Sequence, residues 1–305
     1  MTFKHMRRAC ALVSALVLSA SLGACGTSDM TADTKIPGYD VSYVHKDDAI
    51  AAMVPKDISE DGVLTIGSET TYAPVEFVAQ DGKTAVGFEI DLGKAIAALM
   101  GLKPKIVYTP FDTAIPSTGY RYDISISGFT PEEDRKTVAE WVYDYSSGLQ
   151  FVVRHGNPKN VDTKNLCGHS VSVQTGTLQE SDLQNMSKQC KTKGNPGIMV
   201  QSMSLQTDAT TAVITGKSDA FFADATVANY AVKQTEGKLD ALGEPMDRMP
   251  QAIAIRKGDM QTAKAVQAAI NKLIDDGTYM KILKYWGVES GAIKKSIVNP
   301  KLTQR

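Results

Sequence analysis

Beyond Gly62 the chain alternates short apolar runs with longer stretches in which apolar residues recur every three or four positions. Val63-Leu64-Thr65-Ile66-Gly67 reads as a short strand ended by a glycine. Gly87-Phe88-Glu89-Ile90-Asp91 leads into Leu92, Ile96 and Leu99, a helical spacing that Gly101 stops. Residues 105–108 and 123–127 read as the next strands. A second series follows the segment 143–154, with strands at 170–174 and 219–223 and part of a helix, 208–214, between them. Residues 252–255 read as a strand. Ala263, Val266, Ile270 and Leu273 then form a helical stripe closed by Gly277, and a last short helix covers 278–286 before Gly287. Strand–helix–strand alternation of this kind predicts α/β units around a parallel sheet, here in two lobes.

The first residues follow a different rule. Lys4, Arg7 and Arg8 precede an apolar run from Ala9 to Leu22 that is interrupted only by small serines. The run is too short to span a bilayer comfortably and has the layout of a signal peptide, residues 1–24. It ends in Leu22-Gly23-Ala24-Cys25, which resembles the bacterial lipobox, whose cysteine is lipidated and becomes the new first residue. Ordinary cleavage near Ala24, with Cys25 incidental, is the alternative. Two lipid chains, at ~0.8 kcal/mol per buried methylene, would make a firm anchor. Residues 25–59 then read as a tether, with one short helix possible near 47–54 before Pro55.

Export changes the cysteine arithmetic. Cys10 is discarded and Cys25 carries lipid, which leaves Cys167 and Cys190 in an oxidising setting. A bridge between them would contribute roughly 3 kcal/mol by the chain-entropy model. Two buried free thiols are the other reading. Composition is ordinary for a soluble protein, 43% hydrophobic and 22% charged. A net charge of -1 gives no electrostatic case for nucleic acid.

In open α/β sheets ligands bind beyond the carboxyl ends of the strands. Here those ends are followed by Glu69, Thr70, Thr71 and Tyr72; by Phe111; by Ser127, Thr130 and Arg135; by Thr175, Gly176 and Thr177; and by Asp224. One acid, one base, several hydroxyls and two aromatics suit a zwitterion. The stretches Glu69-Thr-Thr-Tyr72-Ala-Pro74, Gly87-Phe-Glu-Ile-Asp91-Leu, Phe111-Asp112, 123–135, 216–224 and Asp276-Gly277-Thr278-Tyr279 occur in one order. Together they resemble the family 3 bacterial solute-binding proteins, the polar-amino-acid-binding components of ABC importers, over about residues 60–290.

The resemblance implies a periplasmic-binding-protein type II fold, with two α/β lobes joined by two crossover strands and closing on the ligand. Lobe 1 would be residues 60–150 and 252–290, lobe 2 residues 151–251, and residues 291–305 a C-terminal tail. It implies that Arg135 binds the ligand α-carboxylate, for which a guanidinium fork is well suited. The same stretch, Thr130-Pro131-Glu132-Glu133, also reads as a helix N-cap with a capping box, in which Arg135 would pair with Glu132. Asp224 matches the acceptor of the α-ammonium; its other reading is a helix N-cap. Tyr72 and Phe111 match an aromatic pair around the side chain. Ser127 and Thr130 match donors to the carboxylate, and Thr177 a carboxylate contact in lobe 2. Gly128 stands where many relatives have serine, and Leu178 replaces a common threonine. Glu69 matches an acid near the ligand side chain, which binders of neutral amino acids also carry.

No cofactor and no metal are expected. Gly216-Lys217-Ser218 imitates the end of a P-loop, but Thr211 occupies the first glycine position. The expected function is extracytoplasmic capture of a polar or cationic amino acid by a monomer. It would be anchored to the outer face of the cytoplasmic membrane and deliver its ligand to ABC permease subunits. Two rivals share the fold. One is an exported cyclohexadienyl-dehydratase-like enzyme using Glu69 or Asp112; the other is a ligand-sensing surface lipoprotein.

Overall fold

The computed structural model describes residues 36–301. The expected signal peptide, Cys25 and the start of the expected tether lie outside the described residues. Among the described residues no helix is long and apolar enough to cross a membrane.

Lobe 1 opens with two single-turn helices, α1 (Asp48–Ala51) and α2 (Lys56–Ser59), followed by β1 (Val63–Ser68). A small antiparallel sheet comes next: β2 (Thr71–Tyr72), β3 (Glu76–Val78) and β4 (Ala85–Val86). Then follow α3 (Phe88–Leu99), β5 (Lys103–Tyr108), α4 (Phe111–Ser117) and the very short β6 (Ile124–Ser125). α3 is buried on nearly every side, and Leu92, Ile96 and Leu99, the stripe that its spacing predicts, join the lobe 1 core with Phe88 and Ala95. Burial of one such large side chain contributes roughly 1.5–3 kcal/mol. Gly87 starts the helix at φ +132°, and a Cβ there would lie 2.2 Å from the Val75 carbonyl oxygen. Only glycine fits this approach of helix to hairpin.

Lobe 2 lies between the two longest strands, β7 (Ala139–Arg154) and β11 (Leu239–Arg256). It holds β8 (Ser170–Gln174), α5 (Leu178–Thr192), β9 (Met199–Met203), α6 (Gln206–Ile214), β10 (Ala220–Asp224) and α7 (Ala225–Gln234). The chain then returns to lobe 1 as α8 (Met260–Asp275) and α9 (Thr278–Trp286). One eight-stranded sheet runs through both lobes in the order β5-β1-β6-β11-β7-β10-β8-β9. Pairing is parallel within each wing and antiparallel around β7 and β11. β7 and β11 are therefore the crossovers. Their mutual register slips between Leu242 and Met246, Met246 and Met249, and Gln251 and Ala252, where they pass from one lobe to the other. Cys167 and Cys190 form a disulfide in lobe 2.

The structure departs from the sequence reading in four places. Residues 36–59, expected as tether, pack onto lobe 1: Val44, Ile50, Val54 and Ile58 join the same core as Leu64 and Leu99. Asp47 caps α1 and its backbone N–H donates to the Leu99 carbonyl at 2.9 Å. The tail also packs, with Ile293 and Ser296 buried and the Ser296 hydroxyl donating to the Tyr143 carbonyl at 2.6 Å. The capping box does not form. Thr130 caps no helix, its carbonyl accepts from Arg135, and the segment closes as a 3-10 turn over Arg135–Thr137 with Asp134 as its cap. α5 and β9 had no clear periodic signal, because α5 is mostly polar and buries only a narrow stripe along Leu178, Leu183 and Cys190.

Candidate ligand-binding cleft

Where the sheet turns from lobe 1 to lobe 2, loops from both sides meet around a small cavity. It is lined by Tyr72, Phe111, Gly128, Thr130 and Arg135 from lobe 1, and by Thr177, Leu178, Gln179 and Asp224 from lobe 2. Seven of the nine candidates from sequence thus converge on one point. The cavity holds only about 10 Å³, the limit for a single water. The cleft is closed.

Asp224 is the most heavily engaged group. It sits at the carboxyl end of β10 in the N-cap position of α7, but its carboxylate makes no capping bond. Oδ2 instead accepts from the Tyr72 hydroxyl at 2.8 Å and from Gln251 Nε2 at 2.9 Å, and Oδ1 accepts from Gln179 Nε2 at 3.1 Å. Burial pushes its carboxyl up to about 7, against the lowering effect of those three donors. A charge held this way is short of a cation.

Arg135 faces it from lobe 1. Its side chain is 14% exposed and forms an ion pair with Glu132 at 3.0 Å. Nη1 donates to the Thr130 carbonyl at 3.0 Å and Nη2 crosses the cleft to the Gly176 carbonyl at 2.7 Å. Burial lowers the guanidinium below the ordinary arginine range, offset by Glu132 and Asp134. Gly176 has φ +80°, and a Cβ on it would lie 3.0 Å from the Asp112 Cβ. The lobes approach here by virtue of a missing side chain.

The two aromatics are buried at the cavity, Tyr72 at 4% and Phe111 at 7% exposure. Phe111 is braced by Phe129 at a ring-centroid distance of 5.1 Å. Thr177 lines the cavity while its hydroxyl caps α5 and donates to the Gln174 carbonyl at 2.7 Å.

Ser127 and Glu69 are not among the lining residues. The Ser127 hydroxyl is committed elsewhere: it donates to Glu76 Oε1 at 3.1 Å and accepts from the Glu69 backbone N–H at 3.0 Å. Glu69 is fully buried beside the cleft, with Oε2 accepting from the Thr71 backbone N–H and hydroxyl and, across the lobes, from Gln174 Nε2 at 3.1 Å. Burial raises its carboxyl, against the Gln174 and Thr71 bonds. Its Oε1 and the Gln174 Oε1 are buried acceptors with no donor.

Behind the Gly128 wall lie three more buried acids, Glu76, Glu89 and Asp144. Glu89 Oε2 accepts the Gly128 backbone N–H at 2.8 Å. Burial pushes Glu89 up to about 7, and hydrogen bonds from the Gly128 N–H first, then from Glu76 and Asp144, keep it lower than those two acids, which are raised well above the carboxylate range. Sequence reasoning missed this support and also the amide donors Gln174, Gln179 and Gln251. A lone glutamine carries no periodic or motif signal. Gln251 could have been suspected only from its place beside Pro250 on the second crossover.

Contacts that cross the cleft include Tyr72 to Asp224, Glu69 to Gln174, Arg135 to Gly176, the Gln206 backbone N–H to the Thr71 hydroxyl at 3.1 Å, and Gln251 Nε2, which donates to both the Gly128 carbonyl and Asp224. A charged fork and a cation-seeking carboxylate therefore face one small space from opposite lobes. A sequence model of the bacterial extracellular solute-binding proteins, family 3, matches residues 64–289. The chain belongs to that family.

The arginine-binding protein ArgT of Corynebacterium glutamicum is 31% identical over 296 residues, covering 96% of both chains. The L-cystine-binding protein TcyJ of Escherichia coli K12 is 30% identical over 233 residues, 75% of this chain and 84% of that one. Among solved structures, an ancestral arginine-binding protein bound to arginine superposes with a TM-score of 0.68 at 32% identity, covering 74% of this chain and 98% of that one. The architecture is accordingly the type II periplasmic-binding-protein fold, and the family's role is extracellular substrate binding. These relatives are binding proteins.

Proposed function

We propose that the protein captures an amino acid with a cationic side chain, arginine in the first instance, and presents it to the permease subunits of an ABC importer. Arg135 would take the α-carboxylate, Asp224 the α-ammonium, and Tyr72 and Phe111 the aliphatic stem. The observation that carries the choice of a cationic side chain is the pair of donorless acceptors, Glu69 Oε1 and Gln174 Oε1. Each is buried, and an unsatisfied buried acceptor costs about 1–3 kcal/mol. A guanidinium brings several donors and a charge, relieving both oxygens and the raised Glu69 carboxyl together. Arginine binding by the Corynebacterium relative and by the ancestral structure, as their names state, supports this reading.

The ligand cannot enter a space of about 10 Å³, so capture requires the lobes to part and close again, bending at the slipped registers of β7 and β11. We read the cleft as a binding site without chemistry. Of the two alternative proton donors for a dehydratase reading, Glu69 or Asp112, Asp112 is exposed and Glu69 Oε2 is engaged by Thr71 and Gln174. Cys25 would carry the lipid that holds the protein at the outer face of the membrane, and the chain would act as a monomer. Mass spectrometry finding an unmodified mature N-terminus would remove the anchor from this account.

Calorimetry on Glu69→Gln tests the ligand assignment. Arginine affinity should fall by at least tenfold, or 1.4 kcal/mol, while a neutral polar amino acid loses little. Equal losses for both would mean that Glu69 does not read side-chain charge.

A further inference from the structure

A second cavity, of about 420 Å³, lies where both lobes meet the crossover strands. Lobe 1 contributes Pro74 and, from the turn that ends α9, Trp286, Gly287, Val288 and Ser290; lobe 2 contributes one face of α7. On that face Thr226, Asn229, Tyr230 and Lys233 follow helical spacing. Arg248 comes from β11. The lining carries two cations, Lys233 and Arg248, and no acid, although the chain as a whole has a net charge of -1.

Arg248 and the hydroxyls are positioned rather than loose. Arg248 Nε donates to the Ser146 hydroxyl at 3.0 Å, and Nη2 donates to the Ser290 carbonyl, so one guanidinium links β7, β11 and the turn after α9. Ser147 Oγ lies 3.2 Å and Tyr145 Oη 3.3 Å from Thr226 Oγ1, giving a cluster of hydroxyls at the same cavity. Trp286 supplies an aromatic wall whose indole N–H is fixed to Asp91 Oδ2 at 2.9 Å.

We propose that this cavity is a second ligand site, for a small organic anion with a carboxylate or phosphate head on an apolar body, and that its occupant favours the closed cleft. A guanidinium and an ammonium suit either head, and the Trp286, Tyr230 and Pro74 surfaces suit the body. The coupling follows from the walls. Pro74 lies two residues after Tyr72, and Ala225 directly follows Asp224, so each partner of the Tyr72–Asp224 contact is next to a residue that lines the second cavity. An occupant that touches both lobes stabilises the arrangement in which both are within reach.

The test titrates full-length protein, free of amino acids, with benzoate and with phenyl phosphate at constant ionic strength. The chain has two tryptophans, of which Trp141 is 0% exposed in lobe 1 and Trp286 lines the cavity. The expected result is a saturable shift of the Trp286 indole N–H resonance, with the head group preference read from the two probes. The same probe should make the protein more compact in solution scattering. Lys233→Gln and Arg248→Gln should each weaken the probe at least tenfold. Lys233 is exposed on a helix surface, so its variant keeps the test valid if Arg248→Gln, which loses two bonds, folds poorly. No saturable shift with either probe, or the same affinity in wild type and Lys233→Gln, overturns the site. Binding without compaction overturns its coupling to closure. Because no amino acid is present, neither result depends on what the cleft captures.

Discussion

The Tyr72 hydroxyl donates to Asp224 Oδ2 at 2.8 Å and at the same time accepts from the Asp224 backbone N–H at 3.0 Å. A lobe 1 aromatic therefore grips a lobe 2 acid by its side chain and its backbone together. The grip neutralises nothing, since a phenol brings no positive charge. It leaves a buried carboxylate waiting for one, and that is the physical link between ligand and closure: an ammonium makes the closed form favourable where hydrogen bonds alone do not.

This has a pH consequence. In the closed, ligand-free cleft burial pushes the Asp224 carboxyl up to about 7 from an ordinary 3.8; in an open cleft water would return it toward that ordinary value. Closing without ligand therefore takes up a proton between about pH 4 and 7, and is penalised above that window by about 4 kcal/mol, an order-of-magnitude figure. Ligand-free protein should become more compact as pH falls from 8 to 5, measured by solution scattering. In Asp224→Asn the pH dependence should shrink to what Glu69, the other acid bridged across the lobes, contributes. The same profile in wild type and variant would place the titrating group elsewhere.

Glu89 predicts a separate effect on stability. Its folded value, about 7, stands above the ordinary 4.5 because of burial. A raised carboxyl gives stability that is fullest below about 4.5 and is lost as pH rises through 7. Glu89→Gln keeps an acceptor for the Gly128 N–H but cannot ionise. Its melting temperature should gain on wild type between pH 5 and pH 8, by an amount corresponding to a few kcal/mol. Parallel melting curves across that range would contradict a raised Glu89 carboxyl in the folded protein.

Gly176 predicts a cost to binding on top of the backbone strain that any positive-φ glycine position carries. At φ +80°, with Asp112 Cβ at 3.0 Å, alanine meets both backbone strain and a cross-lobe contact. A non-glycine residue in this region costs about 1–2 kcal/mol, and the contact is specific to the closed form. Gly176→Ala should weaken the ligand roughly tenfold or more by calorimetry. Gly82→Ala, with φ +72° and nothing within 4 Å, should lower the melting temperature and leave affinity alone. Unchanged affinity in Gly176→Ala would mean that the lobes do not close on this loop.

Most of the sheet was legible because its strands are bounded by glycines and its lobe 1 helices carry regular apolar faces; Leu92, Ile96 and Leu99 of α3 are the clearest case. The lining of the cleft was legible through motif order, which brought Tyr72, Phe111, Arg135 and Asp224 to one point. What escaped has physical reasons. β2, β3 and β4 are too short for any period. α5 packs through only a narrow stripe, so its sequence reads as polar. Residues 36–59 look like a tether because their apolar residues are sparse, yet Ile50, Val54 and Ile58 at four-residue spacing suffice to dock them. Ser127 matched a family position, but its hydroxyl serves Glu76 and Glu69, a use that depends on contacts 51 and 58 residues away in the chain.

The central claim is that Arg135 and Asp224 clamp one zwitterion from opposite lobes, and calorimetry on Arg135→Ala with arginine and with agmatine, which is arginine without its carboxylate, tests it most directly. Removing one partner of a buried charge-assisted contact costs several kcal/mol, so Arg135→Ala should bind arginine at least two orders of magnitude more weakly, at 1.4 kcal/mol per tenfold. Arg135→Lys should recover only part of this, because an ammonium lacks the planar fork. Wild type should bind agmatine far more weakly than arginine, and Arg135→Ala should scarcely distinguish the two. Near-normal arginine binding by Arg135→Ala, or an equal agmatine penalty in both proteins, would contradict the account and place the carboxylate elsewhere.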